Sequence, residues 1–361
     1  MKPKLLYIGH AFHNKTKSSL FVQNLLSEKY EVTKFDYDPH NEGYDVFSRL
    51  NSQRFDVVVL FQTMPSLSLL GKYIEIDKVA FFPMYDSALK LKNPIWSEYR
   101  NVNIINFSLT LHKKCKEYGL SSYYIQYFPK PIKVNNWGDE NSVFLWQRKE
   151  EINPHTIEKT IGEQNVKNLC LHQVPDPGRK IIHPSEKWKN KVRVSNWFDT
   201  KEEMLEYMQQ SAIYYAPRSY EGIGMSFLDA MAMGRCVIAP NHPTMNEYIE
   251  NGVNGYLYNL KHPNTIKIKD IRKIQKNAVK YIENGYKEWE KNKYKILNWI
   301  QADAKKNNDP ELMDSKLSIR QPKRFAIKLP LLKRIYTRKY EIFYIFGFIP
   351  IKIPNRNGEK I

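Results

Sequence analysis

Pro217-Arg218-Ser219-Tyr220-Glu221-Gly222-Ile223-Gly224-Met225-Ser226-Phe227-Leu228-Asp229-Ala230-Met231-Ala232-Met233-Gly234 is the stretch on which the reading of this chain turns. Before it, residues 213–216 are apolar and strand-like; from Met225 onward the apolar spacing predicts a helix. Gly222 and Gly224 occupy the turn between them, where glycine permits positive φ and a close approach of backbone to ligand. A helix opening there presents unsatisfied N–H groups and a partial positive charge, which suit a diphosphate bound through the amides of Ile223, Gly224, Met225 and Ser226. Glu221 stands at the mouth and Asp229 about one turn inside. A carboxylate is repelled by a phosphate, so each acid is expected to serve another part of the ligand. An ionised carboxylate accepts paired hydrogen bonds from a sugar diol. The pattern thus reads as a phosphate flanked by two hydroxyl-rich groups, as in a nucleotide-sugar. The same residues also describe a plain strand-to-helix turn with a surface Glu and an Asp that complements the helix dipole.

Working outward, apolar strand patterns alternate with helical ones along most of the chain. Residues 4–9, 31–35, 55–61, 79–82, 102–107 and 123–128 are expected strands, the signature of βαβ units and a parallel sheet. Pro129-Lys130-Pro131 interrupts this pattern, and the polar residues 135–141 are expected to link two domains. Residues 142–147, 168–172, 191–197, 213–216 and 236–239 then form strands of a second βα domain, closed by a long helical stretch over 271–300. The expected class is α/β, with Rossmann-like, doubly wound domains over 1–135 and 136–300 and a basic amphipathic tail over 301–361. A length of 361 residues suits two domains at roughly 150 residues each.

The ordered run Glu221-Gly222-Ile223-Gly224, Asp229-Ala230-Met231-Ala232-Met233-Gly234, Cys236-Val237-Ile238-Ala239, Asn246-Glu247 and Asn251-Gly252-Val253-Asn254-Gly255 resembles the retaining GT-B glycosyltransferases of family 4. The resemblance covers roughly residues 142–300; the first half follows the family only in strand order. It implies two domains facing across a cleft, the acceptor against the N-terminal one and the nucleotide-sugar donor on the C-terminal one. Glu221 would face the transferred sugar, and Asp229 would hold the ribose where the family normally has Glu. The family places a Gly-Arg pair at the first strand of this domain, with Lys five residues later. Here Gln147-Arg148 is followed by Asn153, so Arg148 supplies the first cation and Lys149 or Arg218 is the candidate second. In the resembling family the loop after the first strand lines the cleft, so Gly9 is expected on the acceptor side and His10 and His13 are candidate catalytic residues that bond a leaving phosphate or sugar hydroxyl. Tyr85 and Asp86, after the fourth strand, occupy a comparable cleft-edge place and are likewise expected on the acceptor side.

Asp36-Tyr37-Asp38 imitates an Asp-x-Asp metal site but follows a strand of a Rossmann-like domain, and it is read as a solvated turn; no metal or other cofactor is expected. Cys115, Cys170 and Cys236 have no metal-ligand spacing, and three cysteines favour a reducing compartment over a disulfide framework. Lys and Arg exceed Asp and Glu by 56 to 38. Of the resulting +18, a net +10 falls within residues 316–361, where twelve cations meet only Glu341 and Glu359. Cations there alternate with Phe325, Leu331, Tyr336 and Tyr340, a composition that fits an anionic membrane surface better than nucleic acid. With no apolar run near the roughly 20 residues a bilayer requires, the expected location is cytoplasmic, peripheral on the inner face of the membrane.

These readings converge on a metal-independent glycosyltransferase that moves a sugar from a nucleotide-diphosphate donor to a saccharide or lipid-linked acceptor. Bacterial capsule, lipopolysaccharide or exopolysaccharide assembly is the setting the resemblance implies. Two alternatives stay open: a nucleotide-sugar epimerase of the same architecture, and a non-catalytic nucleotide-sugar-binding partner of another transferase.

Overall fold

A computed structural model describes residues 2–88 and 94–304, and the backbone of 332–336, 340–345 and 349–354. The chain divides into two units, Met1–Met313 and Asp314–Ile361.

The first unit contains two large parallel sheets. Its N-terminal part runs β1 (Lys4–Gly9), α1 (Phe12–Thr16), α2 (Leu20–Lys29), β2 (Glu31–Asp36), β3 (Arg54–Phe55), β4 (Val57–Phe61), α3 (Leu67–Leu70), β5 (Glu75–Ile76), β6 (Val79–Phe82), β7 (Asn103–Asn106), α4 (Leu109–Glu117) and β8 (Ser122–Tyr124). Six of these strands form one sheet in the order β2-β1-β4-β6-β7-β8, while β3 and β5 make a separate short pair. β4 reads Val-Val-Val-Leu-Phe with every residue buried, as expected of a strand covered on both faces by helices and loops.

The following part runs β9 (Asp139–Gln147), α5 (Pro154–Thr160), β10 (Asn168–Gln173), β11 (Val192–Ser195), α6 (Lys201–Gln209), β12 (Ser211–Tyr215), α7 (Met225–Ala232), β13 (Cys236–Pro240), α8 (Met245–Tyr248), β14 (Tyr256–Tyr258), α9 (Ile271–Asn292) and α10 (Tyr294–Gln301). Its sheet order is β11-β10-β9-β12-β13-β14, the doubly wound Rossmann order. Strand order reverses between β9 and β12 here, and between β1 and β4 in the first sheet. The crevice outside the carboxyl ends of strands at such a reversal is where these sheets bind ligands. Function is therefore sought in the loops leaving β1, β4, β9 and β12.

Two expected elements differ in detail. The strand expected over 123–128 ends at Tyr124, because Tyr127 and Phe128 serve as core aromatics against Trp289 and Tyr281 of α9 (ring centroids 5.3 and 5.5 Å). The helical stretch over 271–300 breaks at Lys293, and α10 returns to the first sheet, packing on α2 and β7. There Lys29 Nζ donates to Gln301 Oε1 at 2.7 Å and Asn103 Nδ2 to the Ala302 carbonyl at 2.8 Å.

A second tie between the sheets is electrostatic. Glu247, in α8, accepts from the Ser108 hydroxyl and from the backbone N–H groups of Leu109 and Thr110 at 3.0, 2.7 and 3.0 Å. It thus caps α4 from the other domain, placing a carboxylate on the positive end of the helix dipole.

The second unit holds an antiparallel meander, β15 (Leu332–Tyr336), β16 (Tyr340–Ile345) and β17 (Ile349–Pro354). The expected amphipathic tail thus carries strand structure over these residues; Lys316, Arg320, Lys323, Arg324 and Lys328 lie outside the described residues. Among the described residues no helix is long and apolar enough to cross a membrane. The three cysteines are buried and unpaired.

Glu247→Ala strips three bonds from the α4 cap. It is expected to cost about 1–3 kcal/mol, and less than additively with Ser108→Ala in a double-mutant cycle read by scanning calorimetry.

Candidate active site

The loop between β12 and α7 is shaped by its two glycines. Gly224 has φ +84°, and a Cβ there would strike the Phe227 ring. A Cβ on Gly222 would stand 2.9 Å from Met84 Cβ and 3.1 Å from Asp86 Oδ1, so its absence lets the loop after β6 lie against the loop after β12. The loop is pinned from behind: the Glu221 N–H donates to the Pro243 carbonyl at 3.3 Å and the Thr244 hydroxyl to the Ile223 carbonyl at 3.1 Å. α7 opens at Met225, as expected, and no side chain caps its N-terminus. α4, α5, α6 and α9 are capped by Ser108, Asn153, Thr200 and Asp270, whereas α1, α2, α3, α8 and α10 share with α7 the absence of a side-chain cap bond among the described residues.

Beside this helix mouth lies a cluster of charges. Arg148, at the end of β9, donates from Nε and Nη2 to Asp176 Oδ1 at 2.8 and 2.7 Å, with its guanidinium 4.9 Å over the Trp146 ring. Arg218 reaches three carboxylates: Asp176 Oδ2 at 3.3 Å, Asp86 Oδ2 at 3.2 Å and Glu221 Oε2 at 3.5 Å. Burial pushes the Glu221 carboxyl above its ordinary range, and Arg218 only partly offsets this. Burial works against the Arg218 charge, but Glu221, Asp86 and Asp176 outweigh it and raise that group. Under the cluster the Tyr214 hydroxyl is buried; burial raises its pKa against the opposing pull of Ser226. Asp229 lies half-buried in the second turn of α7, close enough for its charge to reach Tyr214 and Tyr127.

From the first sheet, His13 is 9% exposed, with Nδ1 2.7 Å from the Ser18 hydroxyl and its ring edge-on to Phe61. Burial lowers its pKa against the opposing pull of Gln62, so the ring is neutral at neutral pH. Gln62, just past β4, takes a left-handed backbone with φ 64°. Asp86 Oδ1 is buried and has no hydrogen-bond partner among the described residues. Tyr85 is buried with its ring 6.5 Å from that of Tyr220, and burial raises its phenol.

Arg148, Arg218, Glu221, Gly222 and Asp86 are thus brought together, with His13 near Asp86. His10 turns elsewhere: its Nδ1 accepts from the Phe12 N–H at 3.0 Å and its Nε2 faces Asp38 at 3.5 Å. Gly9 ends β1, where its carbonyl accepts from the Tyr37 N–H. Lys149 is half-buried and, among the described residues, makes no ion pair. Asp36 accepts from Asn14, and Asp38 from Asn41 and the His40 N–H. Among the described residues no group of His, Cys, Asp and Glu is placed to hold a metal.

Two members of the cluster escaped the sequence reading, Asp176 and Tyr214. Asp176 sits in the turn Pro175-Asp176-Pro177-Gly178 directly after β10, the strand beside β9, so the signal was a turn at the right sheet position.

The two facing Rossmann-like domains make the GT-B fold of glycosyltransferases. Sucrose-phosphate synthase from Thermosynechococcus elongatus superposes with a TM-score of 0.55 at 12% identity, over 82% of this chain and 98% of its own. Anabaena Alr3699/HepE in complex with UDP and glucose gives 0.54 at 13% identity, over 82% and 99%. Its complex with UDP-glucose gives 0.52 at 12%, over 82% and 100%. At these identities the likeness is one of fold. Residues 183–292, which contain the glycine loop and α7, match the sequence family Glycosyl transferases group 1. No curated protein matches the chain in sequence. Fold and matched domain together support a GT-B glycosyltransferase.

Because burial raises the Glu221 pKa, the folded state favours its protonated form. The stability linked to it is full below the unfolded pKa and is lost as pH rises through the folded one. Glu221→Gln, neutral throughout, is therefore expected to raise the melting temperature near about pH 7 and to change it little near about pH 4, measured by scanning fluorimetry.

Proposed function

We propose that this protein transfers a sugar from a nucleotide-diphosphate donor to a saccharide or lipid-linked saccharide acceptor, with retention at the anomeric carbon. The observation that carries the proposal is the α7 N-terminus, which no side chain caps and which opens at the β9/β12 reversal beside Arg148, Arg218 and Glu221. UDP and glucose in the HepE structure of the same fold support a donor of this class.

In this reading the diphosphate lies on the amides of Ile223, Gly224, Met225 and Ser226, flanked by Arg148 and by Arg218 as the second cation. Asp229 receives the ribose hydroxyls. Glu221 and Asp86 face the transferred sugar, whose hydroxyls donate to their carboxylate oxygens, and Tyr85 lines the acceptor side. The C–O bond to the diphosphate breaks with its electron pair left on the phosphate oxygen. The acceptor oxygen bonds to the anomeric carbon from the same face, and its proton passes to that phosphate oxygen. The helix amides and the two guanidinium groups stabilise the charge that develops, the electrostatic component that usually dominates such catalysis. Neutral His13, held by Ser18, shapes the far wall. No metal enters this scheme. The cationic segment 316–361 would hold the enzyme at an anionic membrane surface on the cytoplasmic side, near a lipid-linked acceptor of polysaccharide assembly.

A thermal-shift panel of UDP, GDP and their sugars identifies the donor, since binding to the folded state raises its melting temperature. With that donor, release of nucleoside diphosphate that depends on added acceptor supports transfer. Interconversion of the donor sugar without acceptor points instead to an epimerase, and donor binding without turnover to a non-catalytic partner. Glu221→Ala is expected to cut acceptor-dependent release by about 10²-fold or more in a folded protein, because a misplaced sugar loses that much rate. Full activity in that variant removes Glu221 from the mechanism.

A further inference from the structure

We infer that Asp176 is a positioning residue that sets Arg148 and Arg218 side by side as a two-guanidinium clamp for the donor diphosphate; the inference rests on the donor reading above. One carboxylate is divided between two cations. Its Oδ1 takes both Nε and Nη2 of Arg148, and its Oδ2 takes Nη2 of Arg218. The cations come from opposite sides of the strand reversal, Arg148 from the end of β9 and Arg218 from the loop after β12, while Asp176 follows β10 on the far side of β9. The carboxylate therefore reaches across the whole crevice.

Its own place is fixed by backbone. The Asp176 N–H donates to the Arg148 carbonyl at 2.9 Å, and the Asp176 carbonyl accepts from the Arg179 N–H at 3.0 Å. Trp146, beneath the Arg148 guanidinium, donates from Nε1 to the Val174 carbonyl at 3.0 Å, which ties the same loop to the same strand end. Without Asp176, Arg218 would be left to Asp86 and Glu221, and the two guanidinium groups would repel each other. With it, Arg218 Nε is buried and, among the described residues, has no hydrogen-bond partner.

A second role would be purely electrostatic, and it predicts the opposite sign. If Asp176 only neutralised the cluster, removing its charge would tighten anion binding; if it positions the cations, removing it loosens binding. Isothermal titration of the full-length protein with inorganic pyrophosphate, UDP and GDP separates the two. For Asp176→Asn the expected result is about a tenfold or greater loss of affinity for the probes that bind, the scale of one charge-assisted hydrogen bond, measured at a temperature where the variant is folded. Equal or tighter binding overturns the inference. Asp176→Glu keeps the charge and moves it by one methylene, so it serves if the Asn variant does not fold. Loss of affinity in that variant supports positioning, and wild-type affinity overturns it. Wild-type protein that binds none of the three probes overturns the donor reading and this inference with it. Wild-type binding with unaffected variants overturns the inference alone.

Discussion

The approach of the two domains depends on a missing side chain. Gly222 lies where any Cβ would press on Met84 and Asp86 of the opposite domain. Because it is absent, Asp86 comes within 3.2 Å of the Arg218 guanidinium, and a residue from each sheet shares one charge cluster. Gly224 answers a separate need, since its left-handed backbone turns the chain into α7 over the Phe227 ring. The loop satisfies both demands at once, and that is why its glycines alternate with Ile223, whose side chain is buried and whose carbonyl takes the Thr244 hydroxyl.

The cluster so formed is costly to the fold in the way functional sites are. Three carboxylates and two guanidinium groups share a largely buried space. Glu221 keeps a raised pKa despite the cation beside it, and Asp86 Oδ1 and Arg218 Nε have no hydrogen-bond partners among the described residues. Leaving buried polar groups unmade costs free energy that a merely structural site would have no cause to spend. The stability is recovered at a distance: Glu247 caps α4 across the domains, and α10 ties the end of the chain back to β7 and α2. Cleft polarity and interdomain ties are thus two sides of the same arrangement.

Much of this was legible in the sequence. The alternation of apolar strands and helical segments carried the doubly wound class, and the run from Glu221 to Gly234 placed both the turn and the start of α7 at Met225. Less legible was whatever depends on contacts distant in sequence. Residues 125–128 have the apolar character of a strand, but Phe128 is spent against Tyr248 and Tyr281, so periodicity alone could not separate strand from core. The break at Lys293 is invisible for the same reason: Lys293 is an ordinary helix former, and the redirection comes from tertiary packing of α10. At the site, His10 and His13 look alike in sequence. Asp38 and the Phe12 N–H claim one, and burial under Phe61 and Ser18 neutralises the other.

The missing second cation shows how a local demand can move a functional group. The resembling family has Lys where this chain has Asn153, and here Asn153 is the N-cap of α5, its side chain accepting from the His155 N–H at 2.8 Å within a full capping box. A lysine there would lose that cap, worth about 1 kcal/mol. In the donor reading proposed above its part falls to Arg218, closer in sequence to Glu221 and paired with Asp176 and Asp86. Its guanidinium is planar and forked, able to engage Asp176 and Asp86 with different nitrogens. A lysine ammonium offers its three donors from one nitrogen and so cannot reach the two carboxylates from separate atoms. An arginine held between two domains in this way is matched by the carboxylates that surround it, Asp176, Asp86 and Glu221.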